Sequence, residues 1–157
     1  METAFLKTPL GIASIEGDEK GITHISILDD QQLISDEVPL NLRDCVLQLQ
    51  EYFAGERQEF DLKLNPQGTK FQQKVWKTLQ EIPYGKTISY MELSSKVGDI
   101  KAIRAVAAAN GKNPIWVVIP CHRVIGSDGS LTGYAGGLWR KKHLIELENP
   151  SNQISLF

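Results

Sequence analysis

Between residues 11 and 28, short apolar runs alternate with turn residues. Gly11, Ile12, Ala13, Ser14 and Ile15 are followed by Gly17, Asp18, Glu19, Lys20 and Gly21, and then by an apolar run over 22–28. Apolar runs broken by a glycine-bounded polar turn predict a β-hairpin or meander. At Leu42, Val46, Leu49 and Phe53 the apolar positions take up helical spacing, predicting a helix over 38–52 that Gly55 ends. Residues 60–64 read as another short strand, and Asn65, Pro66, Gln67 and Gly68 as a linker.

Beyond the linker, Phe71, Val75, Trp76, Leu79 and Ile82 make one helical face, stopped at Pro83, Tyr84 and Gly85. Ser89 and Glu92 have capping-box spacing and start a short helix at Tyr90 that ends near Gly98. Asp99 can cap the next helix, 100–109, which Asn110 and Gly111 close. Two short helices joined in this way have the pattern of a helix-turn-helix. Residues 115–119 form a continuous apolar run that reads as a buried strand or extended segment. Ser127, Asp128 and Gly129 predict a turn, and Gly133, Tyr134, Ala135, Gly136 and Gly137 a loop that a ligand can approach. A last helix is predicted over 138–148 with Leu144, Ile145 and Leu147 on its buried side, followed by a poorly ordered tail from 149. The fold class is α+β: a small N-terminal sheet-plus-helix domain over 1–65, then a mostly helical C-terminal domain over 66–157 with the helix-turn-helix.

The second helix of that pair is rich in small residues. Ala102, Ala105 and Ala109 fall on one stripe with Ala107 and Ala108 alongside, while Ile103 and Val106 can turn to the core. Small side chains let a partner approach closely, and that partner is either another helix of the same fold or a nucleic acid. Lys101 and Arg104 lie among the alanines, which together with the helix-turn-helix pattern favours nucleic acid.

Charge adds to this picture. Residues 1–65 carry 5 Lys/Arg against 13 Asp/Glu, a net of −8, whereas 66–157 carry 12 against 6, a net of +6. The second half is either a surface for a polyanion or a scatter of solvated cations. At 157 residues the chain can bury a sizeable core. No apolar run is long enough to span a membrane. Residues 1–8 lack the basic stretch and apolar core of a signal peptide, which predicts a cytoplasmic protein. Cys45 and Cys121 stand far apart without metal-ligand neighbours, so neither a disulfide framework nor zinc is predicted. Cys45, in a mixed segment over 42–49, reads as a core residue.

The chemistry concentrates at Pro120, Cys121, His122, Arg123 and Val124. A cysteine beside a histidine, behind a buried run and ahead of a glycine-rich loop, is a candidate activated thiol. The thiolate is the nucleophile, so the site needs a base, a neighbouring charge or a helix N-terminus to form it. Adjacency in sequence does not by itself bring His122 to Cys121.

This pentapeptide is preceded by Arg104 in the helix-turn-helix and by Asn113, and followed by the loop 133–137. Together they resemble the O6-alkylguanine-DNA alkyltransferases. The resemblance runs from about residue 71 to 148, and the N-terminal part agrees only in general layout. It implies direct repair of DNA: an alkyl group moves irreversibly from O6 of guanine, or O4 of thymine, to Cys121, once per molecule. His122 would act through a water as base, polarised by Glu148. Asn113 would brace the turn, and Tyr90 would donate to the purine nitrogen. Val124, Ala135, Trp116 and Lys141 would line the base pocket, with the Cys121 and Val124 carbonyls reading the guanine amino group. The helix carrying Lys101, Ala102, Ile103, Arg104 and Ala105 would lie in the minor groove of double-stranded DNA, and Arg104 would fill the gap left by the extruded nucleotide. No cofactor, metal or membrane is implied, and the protein would be a monomer.

Two positions depart from relatives. Ala135 stands where some carry serine, and Trp116 where many carry a smaller residue, which would disfavour bulky adducts. Some relatives hold zinc in the N-terminal domain, but His24 and Cys45 alone cannot rebuild that site. Among rival readings, a lesion-binding protein without chemistry lacks the cysteine. A regulator built on the helix-turn-helix would need a further module. A papain-like hydrolase places its histidine far from the cysteine and needs an oxyanion hole.

Overall fold

The computed structural model describes residues 1–29, 34–131 and 133–151. The chain divides into two compact units, one of Met1–Gln67 with Pro114–Trp116, the other of Gly68–Asn113 with Val117–Phe157. Among the described residues no helix is long and apolar enough to cross a membrane. The tail expected from 149 lies, beyond Ser151, outside the described residues.

The first unit is built on an antiparallel meander of β1 (Glu2–Thr8), β2 (Gly11–Asp18) and β3 (Gly21–Leu28). Thr8 faces Gly11 and Asp18 faces Gly21, so both connections are tight turns. Ala4, Leu6, Ile12, Ile15, Ile25 and Ile27 are buried, as are Cys45, Leu49 and Tyr52 of α1 (Arg43–Phe53). The helix begins later than its periodicity predicts. Pro39 opens a 3-10 turn over Leu40–Leu42, closed by Leu42 N–H on the Pro39 carbonyl at 2.9 Å. The strand expected over 60–64 shrinks to one parallel bridge, Leu64 to Ile22. The Gln48 side chain takes the place of a neighbouring strand: its amide donates to Asp61 O at 3.0 Å and accepts from Asp61 N at 2.9 Å.

Residues 114–116 join β3 at the same edge. Ile25 N–H donates to Pro114 O at 2.9 Å, and Trp116 N–H donates to Ile25 O at 3.0 Å. The run 115–119 is therefore no strand beyond Ile115. It turns at once, and Val117 takes φ +73°, the one positive φ of a non-glycine among the described residues. A β-branched residue in that region is sterically disfavoured, so the surrounding structure must hold it there.

The second unit is mostly helical. Thr69 and Gln72 form a reciprocal capping box that starts α2 (Lys70–Leu79), and Val75, Trp76 and Leu79 are buried while Phe71 stays exposed. Gly68 lies under the Trp76 ring, where a Cβ would sit 2.5 Å from it, so any side chain there displaces the indole. Ser89 Oγ accepts from Glu92 N–H at 3.0 Å at the start of α3 (Tyr90–Val97), and Gly98 ends it at φ +115°. This left-handed C-cap is open to glycine at little cost. Asp99 then caps Lys101 N–H at 2.9 Å. A 3-10 turn over Ile100–Ala102 leads into α4 (Ile103–Gly111), which outlasts its predicted end by two residues. The Trp76 indole donates to Ala109 O at 2.8 Å and fixes α4 on α2. A two-residue parallel ladder joins β4 (Ile88–Ser89) to β5 (Val124–Ile125), and α5 (Leu138–Glu148) closes the unit.

Candidate active site and nucleic-acid face

The cysteine rides on a single 3-10 turn, Cys121–Arg123, opened by Pro120 and closed by Arg123 N–H on Pro120 O at 3.0 Å. Upstream, Ile119 O accepts from Cys121 N–H at 2.8 Å and from the Asn113 amide at 2.7 Å. The Asn113 side chain also hydrogen-bonds the Cys121 thiol. Burial pushes that thiol up, while the Asn113 bond and the Lys141 charge pull it back in part. The net direction is upward, so the resting sulfur keeps its proton and requires a base.

His122 is wholly buried. Its Nε2 lies 2.7 Å from Glu148 Oε2, and Nδ1 has no hydrogen-bond partner among the described residues. The imidazole thus reaches the carboxylate and makes no direct bond to the thiol. Burial lowers the imidazole's proton affinity, the Glu148 bond raises it, and Arg123 and Lys141 lower it again. Burial works to raise the Glu148 carboxyl, but His122 and then Arg123 overcome it and hold it well below the usual carboxylate range. An ionised carboxylate only accepts, so Nε2 carries the hydrogen and Nδ1 presents a lone pair.

Arg123 is the partner that sequence reading missed. Its Nε and Nη2 donate to Glu148 Oε1 and Oε2 at 2.8 and 3.0 Å, and its Nη1 donates to Ile82 O at 2.7 Å. Gly85 N–H adds a donor to Oε1 at 3.2 Å. The signal was available: Arg123 lies inside the apolar stretch around Cys121, where a buried guanidinium needs a carboxylate.

The inner face of α5 carries Lys141, Leu144, Ile145 and Glu148, spaced at one helical stripe with a charge at each end. Lys141 is fully buried, its Nζ donating to Gly133 O at 3.2 Å and lying 5.8 Å from the Tyr90 ring centroid. Burial lowers its ammonium to about 8, with Cys121 acting against that. The β4–β5 ladder sets Ser89 opposite Ile125, and so ties the first residue of α3, Tyr90, to the strand that leaves Cys121. Tyr90 Oη lies 3.9 Å from where a Gly133 Cβ would stand. Val124 is buried, and Ala135 is exposed on the loop. Cys121, His122, Glu148, Asn113, Tyr90, Val124 and Lys141 all belong to the second unit, whereas Trp116 belongs to the first, its backbone paired with β3.

Around α4 the outward positions are Lys101, Arg104, Ala105, Ala108, Gly111 and Lys112, all exposed and all on one helical face. Ala102 and Ile103 are only half-buried, while Val106 and Ala109 are buried toward α2 and α3. The alanine stripe is split by burial. Ala109 packs inside, and Ala105 and Ala108 form a low, cation-flanked strip outside.

Known proteins place this arrangement. Residues 70–150 match the family described as 6-O-methylguanine DNA methyltransferase, DNA binding domain, and residues 1–66 match its ribonuclease-like domain. A methylated-DNA–protein-cysteine methyltransferase of Methanosarcina barkeri is 47% identical over 150 residues, which span 91% of this chain and 94% of that protein. The constitutive methylated-DNA–protein-cysteine methyltransferase of Bacillus subtilis is 44% identical over 92% of this chain and 93% of its own length. Among solved structures, Mycobacterium tuberculosis OGT in complex with DNA superposes with a TM-score of 0.87 at 43% identity, covering 99% of this chain and 96% of that one. On both its domains and on full-length similarity, this chain belongs to the 6-O-methylguanine DNA methyltransferase family.

Proposed function

We propose that this chain repairs DNA directly, taking an alkyl group from O6 of guanine onto its own Cys121 in one irreversible step. The observation that carries this reading is the buried set of Asn113, Cys121, His122 and Glu148, in which Asn113 bonds the thiol, Glu148 holds the imidazole Nε2, and Nδ1 of the residue next to the cysteine is left without a partner among the described residues. A water between Nδ1 and the thiol passes the cysteine proton to His122. The sulfur then attacks the alkyl carbon, the new S–C bond forms as C–O6 breaks, and the electron pair leaves with the purine. Tyr90 donates its phenolic proton to the ring nitrogen as that charge develops, and Lys141 favours the thiolate across the same space. The electrons and protons of the step balance without a cofactor.

Reaching O6 in a duplex requires the nucleotide to leave the stack. The outer strip of α4 suits the minor groove, with Ala105 and Ala108 low enough for close approach and Lys101 and Lys112 near phosphates. Arg104, exposed in the same strip, takes the place of the extruded base. The second unit then forms the catalytic and DNA-binding domain and the first, which also takes in Pro114–Trp116, the α+β domain, and the protein works as a monomer on double-stranded DNA.

Intact mass spectrometry after mixing with an O6-methylguanine duplex tests the proposal, with Cys121→Ser as control. One added methyl per molecule, mapped to Cys121 and missing from the control, is the expected result. Tight binding without added mass would leave a lesion-recognising protein only.

A further inference from the structure

Glu148 accepts from His122, Gly85 and Arg123, and Arg123, outside the thiol–imidazole–carboxylate line, supplies two of these hydrogen bonds. Arg123 takes both oxygens with parallel donors, a geometry only a guanidinium supplies, and its third nitrogen is anchored on the Ile82 carbonyl. The pair is almost wholly buried, with side-chain exposures of 8% and 2%. Breaking such a pair on one side is costly, yet stability alone does not call for it, because apolar residues of similar volume commonly do as well. The position of the pair indicates a use: the oxygen that Arg123 Nη2 holds is the one facing His122 Nε2.

We infer that Arg123 is a positioning residue for this reaction, gripping both Glu148 oxygens so that His122 is held by Nε2 as the neutral base with its unpartnered Nδ1 able to accept the cysteine proton. The inference rests on the reading of Cys121 as the alkyl acceptor. A lone buried carboxylate beside an imidazole favours the imidazolium, which has no lone pair for the cysteine proton. Burial is the larger force against that charge; a permanent cation sharing the carboxylate offsets a further part of the attraction while keeping the carboxylate oriented. The titratable and charged groups at and next to the imidazole are Glu148 and Lys141 from α5 and Cys121 and Arg123 from its own turn, with Tyr90 beyond Lys141 on α3, Tyr84 against Arg123 and Glu148, and Tyr134 against Cys121. Of these, Arg123 and Lys141 both oppose protonation of His122, and Arg123 alone also touches Glu148.

The test follows the His122 ring proton by NMR across pH in wild type, Arg123→Gln and Arg123→Lys, beside the single-turnover rate of methyl transfer at saturating O6-methylguanine duplex. In wild type the imidazole stays neutral below its ordinary 6.5. In Arg123→Gln its titration moves up, and transfer falls about tenfold at about pH 6 but only about twofold at about pH 8.5. Arg123→Lys, which keeps the charge and loses the fork, lies between. An unmoved His122 titration, with transfer lost by one factor at every pH, would reduce Arg123 to a packing role and overturn the inference. Should Arg123→Gln not fold, wild type and Arg123→Lys decide: a wild-type imidazole titrating at or above 6.5 overturns it. Failure of wild type to take up methyl would sink the underlying reading instead, while the NMR titration would still judge Arg123.

Discussion

The Asn113 amide donates to the Ile119 carbonyl at 2.7 Å and, from the same side chain, bonds the Cys121 thiol. One residue thus braces the turn and polarises the sulfur it carries. Asn113→Ala is expected to lose only about 1 kcal/mol of stability, because Cys121 N–H still serves that carbonyl. Transfer should slow by about tenfold or more, since the thiolate loses a donor that favours it. Urea unfolding and single-turnover kinetics on the same samples check this. A large stability loss with normal kinetics would mean the side chain matters for folding alone.

Glu148 sets an acid limit on stability. Its folded-state carboxyl is depressed against an ordinary 4.5, with His122 and Arg123 overcoming the effect of burial. The stability it contributes is therefore complete above about 4.5 and is lost as pH falls from there toward the folded-state value. Glu148→Gln should cost about 3–5 kcal/mol near neutrality, because the Arg123 charge is left buried. The gap to wild type should close in acid. Guanidinium melts at about pH 7 and about pH 3 measure both gaps, and equal gaps would rule out a carboxylate role.

Lys141 also makes stability rise with pH, but in a higher window and because its charged form is the costly one. Burial brings its ammonium from 10.5 to about 8, with Cys121 partly opposing. Between those values the unfolded chain binds more protons, so this residue makes stability rise with pH across the window. Below about 8 the cost of the buried charge is fully present. Lys141→Met is expected to keep or raise the melting temperature near neutrality while slowing transfer by about tenfold, having lost the cation that favours the Cys121 thiolate. A variant both less stable at neutral pH and equally fast would contradict this account.

The outer strip of α4 separates binding from base extrusion. Lys101→Ala and Lys112→Ala should each weaken DNA binding and lower the salt slope by about one. Arg104→Ala should slow transfer more than it weakens binding, if its side chain fills the stack. Ala108 is exposed, so Ala108→Leu should leave the fold intact and obstruct close approach to DNA. Anisotropy titrations against salt, run beside transfer rates on the same duplex, distinguish these effects.

Local patterns in the chain gave access to much of this. Ser89 with Glu92, Gly98 and Asp99 marked the caps of the helix-turn-helix, because capping is chemistry between near neighbours. The span 138–148 of α5 was readable from its apolar spacing after the glycine-rich loop, although Leu147, expected on the buried side, is not among the buried core residues while Leu144 and Ile145 are. What stayed hidden depends on distant partners. The run 115–119 has strand composition, but only Ile115 finds a strand to pair with, and Val117 turns the chain away. Residues 60–64 lost their ladder to the Gln48 side chain. At the site, the pentapeptide marked Cys121 and His122 and the need of Arg123 for a carboxylate, while the choice of Glu148, 25 positions away, is not written in any local pattern.

The excursion of Pro114–Trp116 into the first unit bears on the order in which the molecule can be made. On the ribosome, β1, β2 and β3 emerge early, but the amide and carbonyl of Ile25 must wait for residues 114 and 116 to be synthesised. Until then the outer edge of β3 is covered only at Ile22, by residues 63–65, and stays open around Ile25, the kind of surface that recruits stray strands. Completion of the first unit therefore coincides with delivery of the next residues in line, those that bend at Val117 and carry Cys121. A nascent chain stalled short of residue 114 would expose the sheet and lack the nucleophile, so the reactive thiol appears only on a polypeptide already able to close its sheet.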